Sequence, residues 1–158
     1  MDDLAKKNLI DAASRKDLVS NKLVLIVSKD SSLELTGFPD LVKTSVARYG
    51  LGNPKTVPAG QYGREVLQHL GIWEEVKSKA VLAKDLRTIL SYVETGNADA
   101  GIVFSTVAAT SDKVKIVATA PKGSHEPIVF PGAVLASSKH PAAAREFLNH
   151  LPTPAAMK

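Results

Sequence analysis

The sequence predicts an α/β layered fold built around a largely parallel sheet. Short apolar runs such as Leu23–Val27 are bounded by polar residues, which is typical of strands buried on both faces. Stretches with apolar residues at helical spacing, such as Tyr62 to Leu70, separate these runs. Proline and glycine mark many of the junctions. Strands that alternate with helices favour parallel pairing, because each helix carries the chain back across the sheet.

In chain order, each predicted element has a local reason. Asp2 and Asp3 suit the positive end of a first helix, and residues 11–21 are a polar stretch. Pro39 opens a short helical segment, and Pro58 and Asp85 begin two longer helices, which Gly71 and Gly96 end. The predicted helices are Asp2–Leu9, Phe38–Val42, Ala59–Leu70, Ile72–Val76, Leu86–Val93, Thr106–Thr110 and a last one that Pro141 begins and Pro152 and Pro154 end. The predicted strands are Leu23–Val27, Val46–Gly50, Gly101–Phe104, Val114–Ala118 and Ile128–Leu135, with Val81–Leu82 a short strand or an extended link. The internal Pro131–Gly132 favours an edge, a bulge or an interdomain crossing for the last of them over a central strand.

Composition limits the classes of function. The 158 residues suit one domain or two small lobes, and 44% hydrophobic residues suffice for a core. The net charge of +4 is spread along the chain without a basic run, which argues against nucleic-acid binding. The absence of cysteine excludes disulfides and thiolate metal sites, and the four histidines lack metal-ligand spacing. No apolar run is long enough to span a membrane, and the acidic start predicts no signal peptide in the chain as written.

The stretch Asn53–Tyr62 is the strongest local indication of a binding site. Pro58 suits the first turn of a helix, so the N–H groups of Ala59, Gly60 and Gln61 are expected to lack helical partners. Gly60 has no side chain to block an approaching anion. Such a helix start can bind an anion, although an ordinary solvated helix start is the alternative.

Two further junctions have the same character. Asp85 and Leu86 begin a second helix, and Phe104 leads from a buried strand into Ser105 and Thr106. In parallel α/β sheets, ligands collect outside the carboxyl ends of the strands. The three junctions together therefore predict an anion pocket lined by backbone groups. The chain shows no nucleophile elbow, Walker loop or dinucleotide fingerprint.

Several stretches resemble the molybdate-binding proteins of bacterial ABC-type molybdate importers. They are Ser20–Val27, Gly52–Tyr62, Glu65–Trp73, Arg87–Leu90, Val93–Glu94, Ala98–Phe104 and Ser124–Pro131, and together they span nearly all of the chain. The resemblance implies a periplasmic-binding-protein-like fold that closes on molybdate or tungstate through neutral hydrogen bonds. It also implies an ABC permease as partner, no cofactor, no catalysis, and a periplasmic or membrane-anchored extracellular location.

By position, the resemblance implies that Ala59 and Leu86 donate backbone N–H groups to the ligand, with Gly60 and Thr106 as further candidates. Phe104 stands where the family often has a tyrosine, so that hydroxyl donor is lost. Val107 stands where the family often has an aspartate.

The resemblance also implies an N-terminally truncated chain that holds half of the site, because the family's first lobe starts before Met1 and carries both ligand serines. Residues 35–121 are expected to form a complete lobe, residues 1–34 and 125–158 part of another, and residues 122–124 a crossover linker. The partial lobe would leave strands Leu23–Val27 and Ile128–Leu135 with open edges. Because an open strand edge can pair with another chain, this predicts a homo-oligomer, which a domain swap could form.

Two other functions remain open on sequence alone. One is the effector-sensing domain of a transcription regulator, which uses a similar fold but needs a fused winged helix. The other is a hydrolase of a phosphorylated substrate, which no nucleophile–base pair in the sequence supports.

Overall fold

The computed structural model describes residues 1–153 and 155–156. In chain order its elements are helix α1 (Asp2–Lys6), a 3-10 helix (Ala12–Ser14), strands β1 (Lys16–Ser20) and β2 (Leu23–Ser28), a 3-10 helix (Phe38–Val42), β3 (Tyr49–Gly52), α2 (Pro58–His69), α3 (Trp73–Val76), a 3-10 helix (Lys77–Lys79), β4 (Ala80–Ala83), α4 (Leu86–Glu94), β5 (Ala100–Phe104), α5 (Ser105–Ala108), β6 (Val114–Thr119), β7 (Val129–Gly132) and α6 (Pro141–His150). They divide into a first unit, Met1–Ser20 with Ile128–Lys158, and a second unit, Asn21–Pro127.

The first unit is built on a two-stranded antiparallel sheet of β1 and β7. Sequence reasoning treated residues 11–21 only as a polar stretch, yet Lys16–Ser20 forms a strand. Its backbone pairs with β7, so a distant partner rather than its own apolar pattern makes it a strand. Helix α6 ends at His150, as a following proline at 152 predicts, and Pro154 lies outside the described residues.

The second unit contains a five-stranded sheet in the order β4-β3-β5-β2-β6. Strand β3 runs parallel to β4 and β5, whereas β2 runs antiparallel to both β5 and β6. The α/β class is confirmed, but the sheet is mixed rather than largely parallel. Residue patterns report how deeply a strand is buried, and they do not report the direction in which it runs.

Strand β2 corrects two further expectations. Its residues Leu23–Val27 are buried, as the continuous apolar run predicts, but they lie at the interior of the second unit's sheet. The first unit therefore contributes residues 1–20 before this strand, rather than 1–34, and resumes at residue 128 rather than 125. Because β2 has a paired strand on each side, it offers no open edge, and that argument for a domain-swapped oligomer is wrong.

Strand β3 begins three residues later than the pattern Val46–Gly50 predicts. The N–H groups of Ala47 and Arg48 both donate to the Asp99 carboxylate at 2.8 Å, so a side chain satisfies them. The strand extends to Gly52, directly before the stretch that the sequence marks as a binding site. Among the described residues, no helix has the length and apolar character needed to cross a membrane.

Candidate functional site

The candidate site lies where three neighbouring strands of the second unit end. Gly52 and Ala83 pair at the ends of β3 and β4, and the N–H of Asn53 donates to the Ala83 carbonyl at 2.9 Å. Strand β5 pairs with the other side of β3 in parallel, so its end, Phe104, lies at the same edge. Phe104 in turn pairs with Leu23, the first residue of β2. We call this region, residues 52–60, 83–88 and 104–106 with 21–22, the carboxyl edge.

Helix α2 begins at this edge, and its first turn partly differs from expectation. The N–H groups of Gly60 and Gln61 donate to the Val57 carbonyl at 2.9 and 3.1 Å, so neither is the free donor that the sequence predicts. No side chain caps this helix start. The N–H of Ala59 has no hydrogen-bond partner among the described residues, although the residue is only 2% exposed. One of the three expected donors therefore has no partner in the described part of the chain.

Gly60 is a glycine for a packing reason rather than for ligand access. A Cβ atom placed on it would lie 2.0 Å from the Gly52 carbonyl oxygen and 2.4 Å from the carbonyl carbon. The start of α2 thus packs directly on the end of β3, backbone against backbone. This close packing holds Ala59 over the carboxyl edge.

Helix α4 begins at the same edge, with the cap that the sequence predicts. The Asp85 carboxylate accepts hydrogen bonds from the N–H and hydroxyl of Thr88 at 2.8 and 2.9 Å. Both bonds lower the pKa of Asp85 below its ordinary value, and the bond from the backbone N–H contributes most. Asp85 is therefore ionised at neutral pH. The Leu86 side chain packs against the core cluster, while its N–H finds no acceptor in the described part of the chain.

Phe104 and Val107 supply apolar contacts rather than polar groups. Phe104 is half-buried at the end of β5, and its phenyl ring has no hydrogen-bonding group. Val107 packs against the same core cluster as Leu86. Whether the Phe104 ring faces a ligand stays a prediction.

A hydrogen-bond network centred on Asn21 completes the carboxyl edge, and sequence reasoning missed it. The Asn21 Oδ1 atom accepts from the Lys22 N–H and from the Ser105 hydroxyl, each at 2.9 Å. The Nδ2 atom donates to the Thr106 hydroxyl oxygen at 2.9 Å. Ser105 and Thr106 are far from Asn21 in sequence, so the only local signal was an asparagine two residues before a buried strand.

The segment that follows β6 is held against α2. The Tyr62 and His125 rings lie 5.6 Å apart between centroids, and the Glu126 N–H donates to the Glu65 carboxylate at 3.1 Å. The Ser124 hydroxyl is buried and donates to the Pro121 carbonyl at 2.7 Å. Residues 122–124, expected to be a crossover linker, therefore belong to the second unit.

The carboxyl edge contains neutral N–H and hydroxyl donors, the capped carboxylate of Asp85 and four cationic side chains, Lys22, Lys55, Lys84 and Arg87, a set that suits an anion better than a metal ion. Across residues 1–153 and 155–156, no group of three or more His, Cys, Asp or Glu side chains could hold a metal ion. The available donors are the Ala59 and Leu86 N–H groups and the Thr106 hydroxyl, and none of them requires a proton exchange to hold an anion.

Comparisons with known proteins concern the family and the fold. The chain is 44% identical over 156 residues to a putative ABC transporter substrate-binding lipoprotein, YvgL, of Bacillus subtilis, covering 99% of this chain and 57% of that protein. It is 37% identical to the molybdate-binding protein ModA of Haemophilus influenzae, covering 98% of this chain and 62% of that protein. The chain thus spans about three-fifths of the length of these curated relatives.

A solved structure is similar to this chain in fold as well as in sequence. The substrate-binding domain of a putative molybdenum ABC transporter from Clostridium difficile superposes with a TM-score of 0.90 at 38% identity, covering 99% of this chain and 67% of that one. The expected periplasmic-binding-protein-like fold is therefore confirmed. The family model of bacterial extracellular solute-binding proteins matches residues 1–158, and the chain belongs to this family.

Proposed function

We propose that the carboxyl edge binds a tetrahedral oxyanion, molybdate or tungstate, for delivery to an ABC importer. The observation that carries this proposal is the pair of N–H groups of Ala59 and Leu86, for which residues 1–153 and 155–156 provide no acceptor. They lie at the starts of the helices that follow the neighbouring strands β3 and β4. The positive ends of α2 and α4 add to the potential that favours an anion there. The names of the relatives, which include molybdate-binding proteins, support the choice of ligand.

A donor-only site selects among oxyanions by their protonation. Molybdate, tungstate and sulfate carry no proton at neutral pH and only accept hydrogen bonds, whereas phosphate retains a proton that needs an acceptor. Both bonds from Thr88 reach the Asp85 Oδ1 atom and hold this carboxylate as the cap of α4. We infer that phosphate, whose proton needs an acceptor placed beside the ligand, binds less well than the unprotonated ions. The ionised Asp85 also opposes the charge of any anion, which leaves size and donor geometry to decide among the three unprotonated ions.

The roles of the other predicted residues follow from their places. Thr106 would contribute its hydroxyl, Phe104 would pack beside the ligand without donating, and Gly60 would position Ala59 through its packing on Gly52. With so few neutral donors in this chain, we expect weak affinity, because each hydrogen bond to a charged ligand contributes only about 1.5–3 kcal/mol.

The proposal extends to partners and location. A permease of the ABC class would receive the anion outside the cytoplasm, in the periplasm or at the cell surface, and no catalytic step or cofactor is involved. The regulator alternative has no support in the matched family or in the relatives described above. A hydrolase is disfavoured because the residues of the carboxyl edge include no histidine that could act as a base beside a Ser or Thr hydroxyl.

Homo-oligomerisation stays a prediction, and it now depends on the first unit alone. Strand β2 no longer supports it, but the first unit exposes several apolar side chains along its two strands, namely Val19, Val129 and Phe130, which are 45%, 41% and 46% exposed. An exposed apolar surface of this kind is a common feature of contact sites.

A thermal-shift comparison tests the function. We expect millimolar molybdate and tungstate to raise the Tm of the chain, because a ligand that binds only the folded state stabilises it. Sulfate should have a smaller effect, and phosphate should match sodium chloride of equal ionic strength. Equal stabilisation by all four ions would indicate general salt effects, and no shift with molybdate or tungstate would contradict the proposal.

A further inference from the structure

The orientation of the Asn21 side chain is fixed by its neighbours. The Lys22 N–H can only donate, so the Asn21 atom 2.9 Å from it must be the oxygen Oδ1. The amide nitrogen Nδ2 is consequently the atom that lies 2.9 Å from the Thr106 hydroxyl oxygen. The Ser105 hydroxyl occupies the remaining acceptor position of Oδ1 at 2.9 Å.

This arrangement decides the role of the Thr106 hydroxyl. Because Asn21 donates to the Thr106 oxygen, the hydroxyl hydrogen must point toward a different acceptor. No atom of the described chain accepts it, and Thr106 is exposed at the carboxyl edge, two residues beyond β5. Its hydrogen is therefore free of protein acceptors at the edge of the sheet where the parallel strands β3, β4 and β5 end, the edge at which Ala59 and Leu86 begin their helices.

The geometry points to Asn21 as a positioning residue that turns the Thr106 hydroxyl into a donor for the bound oxyanion. This inference rests on the proposed function and adds a side-chain donor to the two backbone donors. Asn21 does not touch the ligand itself. It acts by occupying the Thr106 oxygen, which leaves the hydroxyl hydrogen for the anion.

Substitutions at the two positions separate orientation from packing. In Asn21→Asp, the carboxylate retains the bonds from Lys22 and Ser105 but also accepts from Thr106, which turns the hydroxyl hydrogen away from the ligand. The added negative charge opposes the anion as well. Thr106→Val removes the hydroxyl at constant shape, whereas Thr106→Ser retains it and serves as the matched control.

Calorimetric titration of the whole chain with molybdate tests the inference. We expect Thr106→Val and Asn21→Asp each to weaken molybdate binding by about 10-fold or more, and Thr106→Ser to bind within about 3-fold of the unsubstituted chain. The Tm of Thr106→Val without ligand should be unchanged, because the side chain is exposed. A side-chain amide resonance of Asn21 that shifts on addition of molybdate would give an independent positive readout.

The outcomes distinguish the two proposals. Normal molybdate binding by Thr106→Val would overturn the role of Asn21 and Thr106 while leaving the proposed function in place. If the unsubstituted chain binds neither molybdate nor tungstate, the proposed function fails and this inference fails with it.

Discussion

Replacing Leu86 with proline should reduce molybdate affinity by about 10-fold or more, because it removes one N–H donor of the site. Leu86 is the first residue of α4, a position that proline tolerates well. The preceding residue, Asp85, has φ −156° and ψ 165°, an extended conformation compatible with a following proline. Calorimetric titration with molybdate measures the effect.

Leu86→Ala is the matched control for this substitution. It removes the same partly buried side chain from the core cluster but retains the backbone N–H. Both variants should lose stability through the lost apolar contacts, and only the proline variant should lose affinity. Equal molybdate affinity in the two variants would show that the Leu86 N–H does not bind the anion.

Replacing Gly60 with alanine should destabilise the chain by about 2–3 kcal/mol, as overpacking at a rigid contact does. The new Cβ would lie 2.0 Å from the Gly52 carbonyl oxygen, and a backbone atom cannot move aside as a flexible side chain can. The start of α2 would be forced away from β3, which displaces the Ala59 N–H and weakens anion binding as well. Denaturant unfolding and molybdate titration measure the two effects.

Whether Gly60→Ala lowers or raises the free energy of unfolding tests the packing of α2 on β3. In an unconstrained helix, alanine is more favourable than glycine by about 1 kcal/mol, so a stabilised variant would mean that α2 does not pack on β3 as described. Gln68→Ala is a suitable control, because Gln68 is exposed in the same helix. We expect it to leave both unfolding and binding close to those of the unsubstituted chain.

The parts of the fold that follow from local chemistry were predictable from the sequence. Pro58 and Asp85 begin the two helices of the site, and Gly71 follows α2 with φ +73°, a conformation that glycine adopts at low cost. The continuous apolar run of β2 correctly predicted burial. Each of these features depends on residues within one or two turns of one another.

The parts that depend on distant partners were not predictable. Strand β1 has a polar sequence and forms because β7 pairs with it, and no local pattern gives the direction of β2. The same holds for the site. The sequence pointed to Ala59 and Leu86 at helix starts, but the commitment of the Gly60 N–H to Val57 and the bonds from Asn21 to Ser105 and Thr106 require the folded chain.

A nitrogen–proton correlation NMR titration of the chain with molybdate tests the proposed site most directly, and it detects weak binding. If the carboxyl edge binds the anion through its free donors, the backbone amide resonances of Ala59 and Leu86 should move most, along a common saturation curve. The glycines at 71 and 96, which follow the far ends of α2 and α4, should stay fixed. Movement centred instead on the basic residues Arg15, Lys16 and Arg145 of the first unit, with Ala59 and Leu86 unmoved, would contradict the proposed site.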